Sequence, residues 1–201
     1  MRALLLALLM GVSLSAYDAA QVKKALEDKE CIGCDLRGAN LSKMDFSGSD
    51  FHGSDLSNAD LRGSVFEMGD FNDANLSGAH AEGTVFWKAS IKNADLRSIH
   101  ARGANFKGTH LEQSDLSRAD IRNAKVWKTN LSGARLNKTD FRGSEIGGAK
   151  FSHNDLRSAN MKNTLLWETT FSHVRMTKEQ CAHAKKEEAI LDANVTCSQK
   201  R

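Results

Sequence analysis

Residues 34–53 read Cys34-Asp35-Leu36-Arg37-Gly38, Ala39-Asn40-Leu41-Ser42-Lys43, Met44-Asp45-Phe46-Ser47-Gly48 and Ser49-Asp50-Phe51-His52-Gly53. Each row of five has a large apolar residue at its centre, an Asp or Asn before it, and usually a small residue two places before it. Continued in fives from Leu36, the centre column runs to Met176, 29 rows without an insertion or deletion. All nine Phe fall in this column, and 25 of the 29 residues two places earlier are Ala, Ser, Thr, Gly or Cys. A period of five fits neither a helix at 3.6 nor a strand at 2. It fits a chain that turns a corner every five residues, with the centre and the small residue pointing inward. Gly or Asn near the corner tolerates the unusual backbone angles such a turn needs.

These rows closely resemble the pentapeptide repeat family, whose consensus is A(D/N)LXX, over residues 34–178. The resemblance implies an all-β fold: a right-handed quadrilateral β-helix of about seven coils, with four rows or 20 residues per coil. Folded in twenties, the sequence stacks like on like. One face collects Leu36, Leu56, Leu76, Leu96, Leu116, Leu136, Leu156 and Met176; another collects Phe46, Phe66, Phe86, Phe106, Val126, Ile146 and Leu166. At ~4.8 Å per rung the rod is on the order of 35 Å long. Met44, Ile99, Asn154 and Val174 are large for the inward corner site, while Ala81 and Ala101 are small for the centre. Ile99 stands beside Ala101, where it refills part of the lost volume.

The 201 residues make a one-domain length, with 28 Lys and Arg against 25 Asp and Glu. A formal charge of +3 is too small to argue for nucleic acid binding, and it argues equally against a strongly negative protein. There is no proline, so the turns are of one proline-free kind. Met1 and Arg2 precede the short apolar run Ala3–Val12 and then small residues, the pattern of a secretory signal over residues 1–16. The alternative, a membrane anchor, asks for a longer apolar run, and no membrane span is expected after cleavage. The mature chain is expected to be periplasmic or secreted.

A solenoid must cap its ends. In residues 17–33, Asp18 is placed to cap a helix bearing Ala19, Val22 and Leu26 on one face, followed by a Cys-containing turn. The repeats fill 34–177. In residues 178–201, the capping box Thr177-Lys178-Glu179-Gln180 opens a second helix to about Ile190, followed by a tail. Both helices read as lids. Four cysteines permit three pairings. A rod separates Cys31 and Cys34 at one end from Cys181 and Cys197 at the other, leaving Cys31–Cys34 and Cys181–Cys197 as disulfides. A redox pair or half a zinc site are the other readings of Cys31 and Cys34, but no second Cys/His pair and no βαβ pattern accompany them.

Trp87, Trp127 and Trp167 lie 40 residues apart, on one outer face of every second coil, about 10 Å from one another. Their column reads Glu67, Trp87, Lys107, Trp127, Gly147, Trp167, which puts Lys107 between two indoles as a cation–π partner. On the same face Val65, Val85 and Leu165 replace the usual Asp, and Met68 is near. An exposed apolar stripe marks a contact surface for a protein partner or a second copy, or a stacking platform for an envelope polysaccharide. The blander reading is that the rings lie flat over neighbouring coils.

His80 and His100, flanked by Asp60 and Asp120, have the residue types of a zinc site, but outward polar columns arise in every such solenoid, and no metal is assigned. Arg102, Arg122, Arg142 and Lys162 stack as a basic strip beside Asp120 and Asp140, where pairing with carboxylates competes with attraction of an anionic polymer. Ser and Asp abound because the repeat demands them, so they define no catalytic triad. No phosphate loop, HExxH or nucleophile elbow is present. Neither an enzyme nor a cofactor is expected. The resemblance also implies a second function, since some family members imitate duplex DNA to gyrase. That mimicry needs strong negative charge and a cytoplasmic address, which this chain lacks. The leading expectation is an exported, non-enzymatic scaffold that presents a rigid face to a partner.

Overall fold

The computed structural model describes residues 19–199. The predicted signal segment 1–16 and Asp18 as a helix cap lie outside the described residues. The elements are α1 (Ala19–Glu27), β1 (Lys150–Ser152), β2 (Thr170–Ser172), β3 (Arg175–Thr177), α2 (Lys178–Lys186), β4 (Ile190–Leu191) and β5 (Thr196–Ser198). Between α1 and β1 the chain is held by single parallel bridges that join residues 20 apart, such as Asp35 with Asp55, Val65 with Val85 and His100 with Asp120. The expected all-β rod therefore contains few regular strands. A corner every five residues leaves only a short extended piece per row, so the ladder is a series of isolated rungs.

Most corners share one chemistry. The centre residue's carbonyl accepts a hydrogen bond from the amide three residues later, as in Ala39 N to Leu36 O (3.0 Å) and Ala79 N to Leu76 O (3.1 Å), while at Met44 the amide donates to Ser64 Oγ instead (3.2 Å). The residue two after the centre takes a left-handed conformation, with φ of +65° at Gly38 and +57° at Asn58. From 38 to 173, Ser158 alone departs from this pattern. There α2 docks, and Gln180 Nε2 donates to the carbonyls of Leu156 (2.7 Å) and Ala159 (3.0 Å).

The centre column forms the spine, and none of its 29 side chains is more than 4% exposed. Phe46, Phe66, Phe86 and Phe106 stack ring on ring at 5.2–5.6 Å. Phe51 and Phe71 on the adjoining face stack with each other at 4.9 Å and meet the first set edge-on. The inward corner column is a hydrogen-bonding ladder as well as a tight fit. Thr84, Thr109, Thr129 and Thr139 each donate a hydroxyl to the carbonyl of the centre residue 23 positions earlier, at 2.6–2.8 Å. Asn154 reaches the equivalent carbonyl of Leu131 with Nδ2 at 2.8 Å, although its Oδ1 is buried without a partner among the described residues. Ile99 and Ala101 are both fully buried, whereas Met44 is only partly buried against the core.

Both ends carry a helix. α1 buries Val22 and Ala25, and Gln21 Oε1 accepts from Asp35 N at 2.7 Å. Leu26 packs half-buried against the core. At α2 the capping box is complete: Gln180 N donates to Thr177 Oγ1 (3.2 Å) and Thr177 N to Gln180 Oε1 (2.8 Å). The helix stops at Lys186, short of the expected Ile190. Ile190 and Leu191 fall 20 residues after Thr170 and Phe171, re-enter the ladder and pair with them in parallel. β5 then pairs with β3, Met176 opposite Cys197. Cys31 is bonded to Cys34, with Cα atoms 5.3 Å apart, and Cys181 to Cys197 at 6.1 Å, so the second bridge ties α2 to β5. Among the described residues no helix is long and apolar enough to cross a membrane.

Phe86 sits between Phe66 and Phe106 with no exposed surface. Phe86→Ala is expected to cost about 3–5 kcal/mol in urea unfolding. A loss under about 1 kcal/mol would show that the spine relaxes into the gap.

Candidate binding face

The face whose spine runs Phe46, Phe66, Phe86, Phe106, Val126, Ile146, Leu166 carries the tryptophans. Its rungs bridge Val65 to Val85 and Glu145 to Leu165, so the apolar replacements stand at Asp positions beside the Trp column. Trp87 and Trp127 are half-buried, and Trp167 is 38% and Leu165 47% exposed. Two apolar patches result. Val65, Val85 and Trp87 with exposed Met68 lie toward the N-terminal end; Trp127, Trp167 and Leu165 lie toward the C-terminal end.

Two details differ from the sequence reading. Lys107 is not sandwiched between indoles: its Nζ lies 5.4 Å from the Trp127 ring, while Trp87 is covered by its own neighbour Lys88 at 4.4 Å. The indoles are also not evenly spaced at about 10 Å. Trp127 and Trp167 meet edge to face, with centroids 5.6 Å apart and planes at 80°. Their backbones are two rungs apart, so the rings meet only because the intervening position is Gly147. A Cβ there would overlap the Trp167 ring. Trp167 lies across the bare backbone of Gly147 and buries it. Trp127 Nε1 is enclosed without a hydrogen-bond partner among the described residues. The sequence placed every residue of this face in its column but gave Gly147 no role. The signal was available, since it is the one residue of that column without a side chain.

The other outward candidates resolve into local pairs. His80 and His100 stack at 5.0 Å, 10° from parallel. Their neighbours Asp60 and Asp120 are engaged by Arg62 and Arg122, each through Nε and Nη2 at 2.6–2.8 Å. Asp and Arg two residues apart form the same fork at Asp95–Arg97, Asp140–Arg142 and Asp155–Arg157. Of the basic strip, Arg122 and Arg142 are therefore held by carboxylates one centre residue away. Among the described residues no group of three or more His, Cys, Asp or Glu is placed to hold a metal ion.

Hydrogen bonds from Arg62, Arg122 and Arg157 hold Asp60, Asp120 and Asp155 below the ordinary carboxylate range, with burial opposing. At Asp95 and Asp140 burial pushes upward but is outweighed by the side-chain and backbone hydrogen bonds of Arg97 and Arg142.

These features define the molecule as a capped parallel β-helix with two apolar patches on one face. The chain belongs to the pentapeptide repeat family, whose pattern, described as pentapeptide repeats, matches in eight copies over residues 30–67, 70–108, 102–137 and 114–152. Members of that family fold as right-handed β-helices. Among solved structures, the chain is similar to HetL, a pentapeptide repeat protein involved in heterocyst differentiation regulation from the cyanobacterium Nostoc sp. strain PCC 7120. The identity is 16% over 81% of this chain and 84% of HetL, with a TM-score of 0.55. It is also similar to trypsin-treated QnrB1, a plasmid-mediated fluoroquinolone resistance protein, at 23% identity over 85% of this chain and 86% of that one, with a TM-score of 0.45. No curated protein sequence matches the chain.

Gly147 has no positive φ, so alanine suits its backbone but not the ring above it. Gly147→Ala is expected to part Trp127 from Trp167, with loss of their coupled near-ultraviolet circular dichroism and an unchanged far-ultraviolet spectrum. An unaltered near-ultraviolet spectrum would contradict this account of the pair. The depressed aspartates stabilise the fold above their unfolded pKa, and that contribution is lost as pH falls through their lower folded values. The melting temperature is thus expected to fall below about pH 4. A melting temperature that rises on acidification would mean the forks do not stabilise the fold.

Proposed function

We propose that this protein is an exported, non-enzymatic scaffold, periplasmic or secreted. In this reading it is a rod of about seven right-handed, four-sided coils whose tryptophan face receives a protein partner or a second copy. The observation that carries the reading is the Trp127–Trp167–Leu165 patch, apolar, partly exposed and mounted on rigid rungs. Large aromatic side chains held in one orientation lose little entropy on binding, which is why they anchor contact surfaces.

Further features support the remainder. The leader-like segment and the pairing of all four cysteines suit an oxidising compartment. An envelope polysaccharide stacked on the indoles is less well supported, because edge-to-face packing leaves Trp127 and Trp167 no shared flat platform. Imitation of duplex DNA is opposed by the charge: residues 109–177 carry eleven Lys and Arg against seven Asp and Glu.

The test is Trp167→Ala, which removes the exposed half of the pair and leaves the spine untouched. Sedimentation velocity across a concentration series reads self-association, and recovery of bound proteins from envelope extract reads a partner. Loss of one of these with an unchanged fold is expected. Equal association by wild type and variant would remove the face from consideration.

A further inference from the structure

The face whose spine runs Leu76, Leu96, Leu116, Leu136 carries a shallow groove along the rod axis, reaching from Asn58 to Lys138. Its charged lining is Arg97, Arg118 and Lys138, and no carboxylate lines it. Arg97 is already engaged by Asp95. Arg118 and Lys138 are exposed and belong to no ion pair among the described residues. They occupy successive left-handed corners 20 residues apart, one rung or ~4.8 Å from each other along the axis. The two preceding corners hold Ser98 and Gly78, the latter covered by the Asn58 side chain, and Ser77, Ser117 and Asn137 add neutral hydrogen-bonding groups.

The setting reinforces this local charge. Residues 34–108 carry eight Lys and Arg against ten Asp and Glu, while 109–177 carry eleven against seven. The positive half of the rod thus holds Arg118 and Lys138. The basic strip singled out from sequence lies on a neighbouring face, where two of its four cations, Arg122 and Arg142, are paired with Asp120 and Asp140.

We infer that this groove binds a linear acidic polysaccharide, its sulfate or carboxylate groups on Arg118 and Lys138 and its hydroxyls on the serine and asparagine side chains. The lengthwise course suits an extended chain rather than a single small anion. No aromatic side chain lines the groove, so it offers the bases of a single-stranded nucleic acid nothing to stack on. The inference is independent of the tryptophan face, which lies on another side of the rod.

Titration calorimetry of the full chain with a dextran sulfate oligomer, and with neutral dextran of equal length, tests it. The sulfated oligomer is expected to bind and the neutral one not. The double variant Arg118→Ser/Lys138→Ser is expected to weaken binding at least tenfold. By analogy with polyanion binding to nucleic-acid proteins, it should lower the slope of log K against log salt by about 1.5. Lys88→Ser/Lys128→Ser, which removes the same charge from the tryptophan face, is expected to leave binding unchanged. Circular dichroism of both variants verifies the fold. Equal weakening by the two double variants, sulfate ion binding as tightly as the oligomer, or an oligonucleotide competing at equal affinity would each overturn the inference.

Discussion

The structure depends on one constraint: backbone hydrogen bonds join residues 20 apart, so every side chain lies directly above its counterpart on the preceding coil. The bridges from Asp35 to Asp55 and from Val65 to Val85 belong to one register maintained through the repeats. Stacked phenylalanines, the hydroxyl ladder of Thr84, Thr109 and Thr129, and the columns on the outside all follow from it. Stability is then a sum over neighbouring coils rather than the property of one central cluster. A side chain that fits one coil fits because the adjacent coil offers the same shape.

This constraint explains what could be read from the amino acids. The spine, the corners and the face assignments follow from counting in fives and twenties, and Asn154 was visible as a misfit before its buried Oδ1 was seen. The complete capping box at Thr177 and Gln180 was likewise legible, because a cap depends on residues three apart. What escaped was set by side-chain reach or by the return of the chain. The end of α2 was misplaced because Ile190 and Leu191 pair with Thr170 and Phe171, a partnership that helical spacing does not reveal. The indole pairing was missed because column spacing describes backbones, whereas a tryptophan can span a coil when the coil between has no side chain to stop it.

The electrostatics show the same division between local and distant. An Asp and an Arg on either side of one centre residue lie close enough for a fork, so Asp60–Arg62 and Asp120–Arg122 pair within their own rows. Such exposed pairs contribute little to stability individually. Their larger effect is on recognition, since a basic column beside an acidic one attracts less than its composition suggests. Arg118 and Lys138, at corners without an adjacent carboxylate partner, keep a field that Arg122 and Arg142 have spent.

The 20-residue register makes the length of this molecule quantised. Loss or duplication of a 60-base segment of the coding sequence would return every column to its place, changing only how far the rod reaches. A 15-base loss between the codons of Trp87 and Trp127 would keep the spine filled yet turn everything beyond it by one side, moving Trp127 and Trp167 off the face that carries Trp87. A one-codon slip would drive aspartates into the interior. Reach, facing direction and folding are thus heritable in steps of different size, and a lineage can alter the first two without endangering the third.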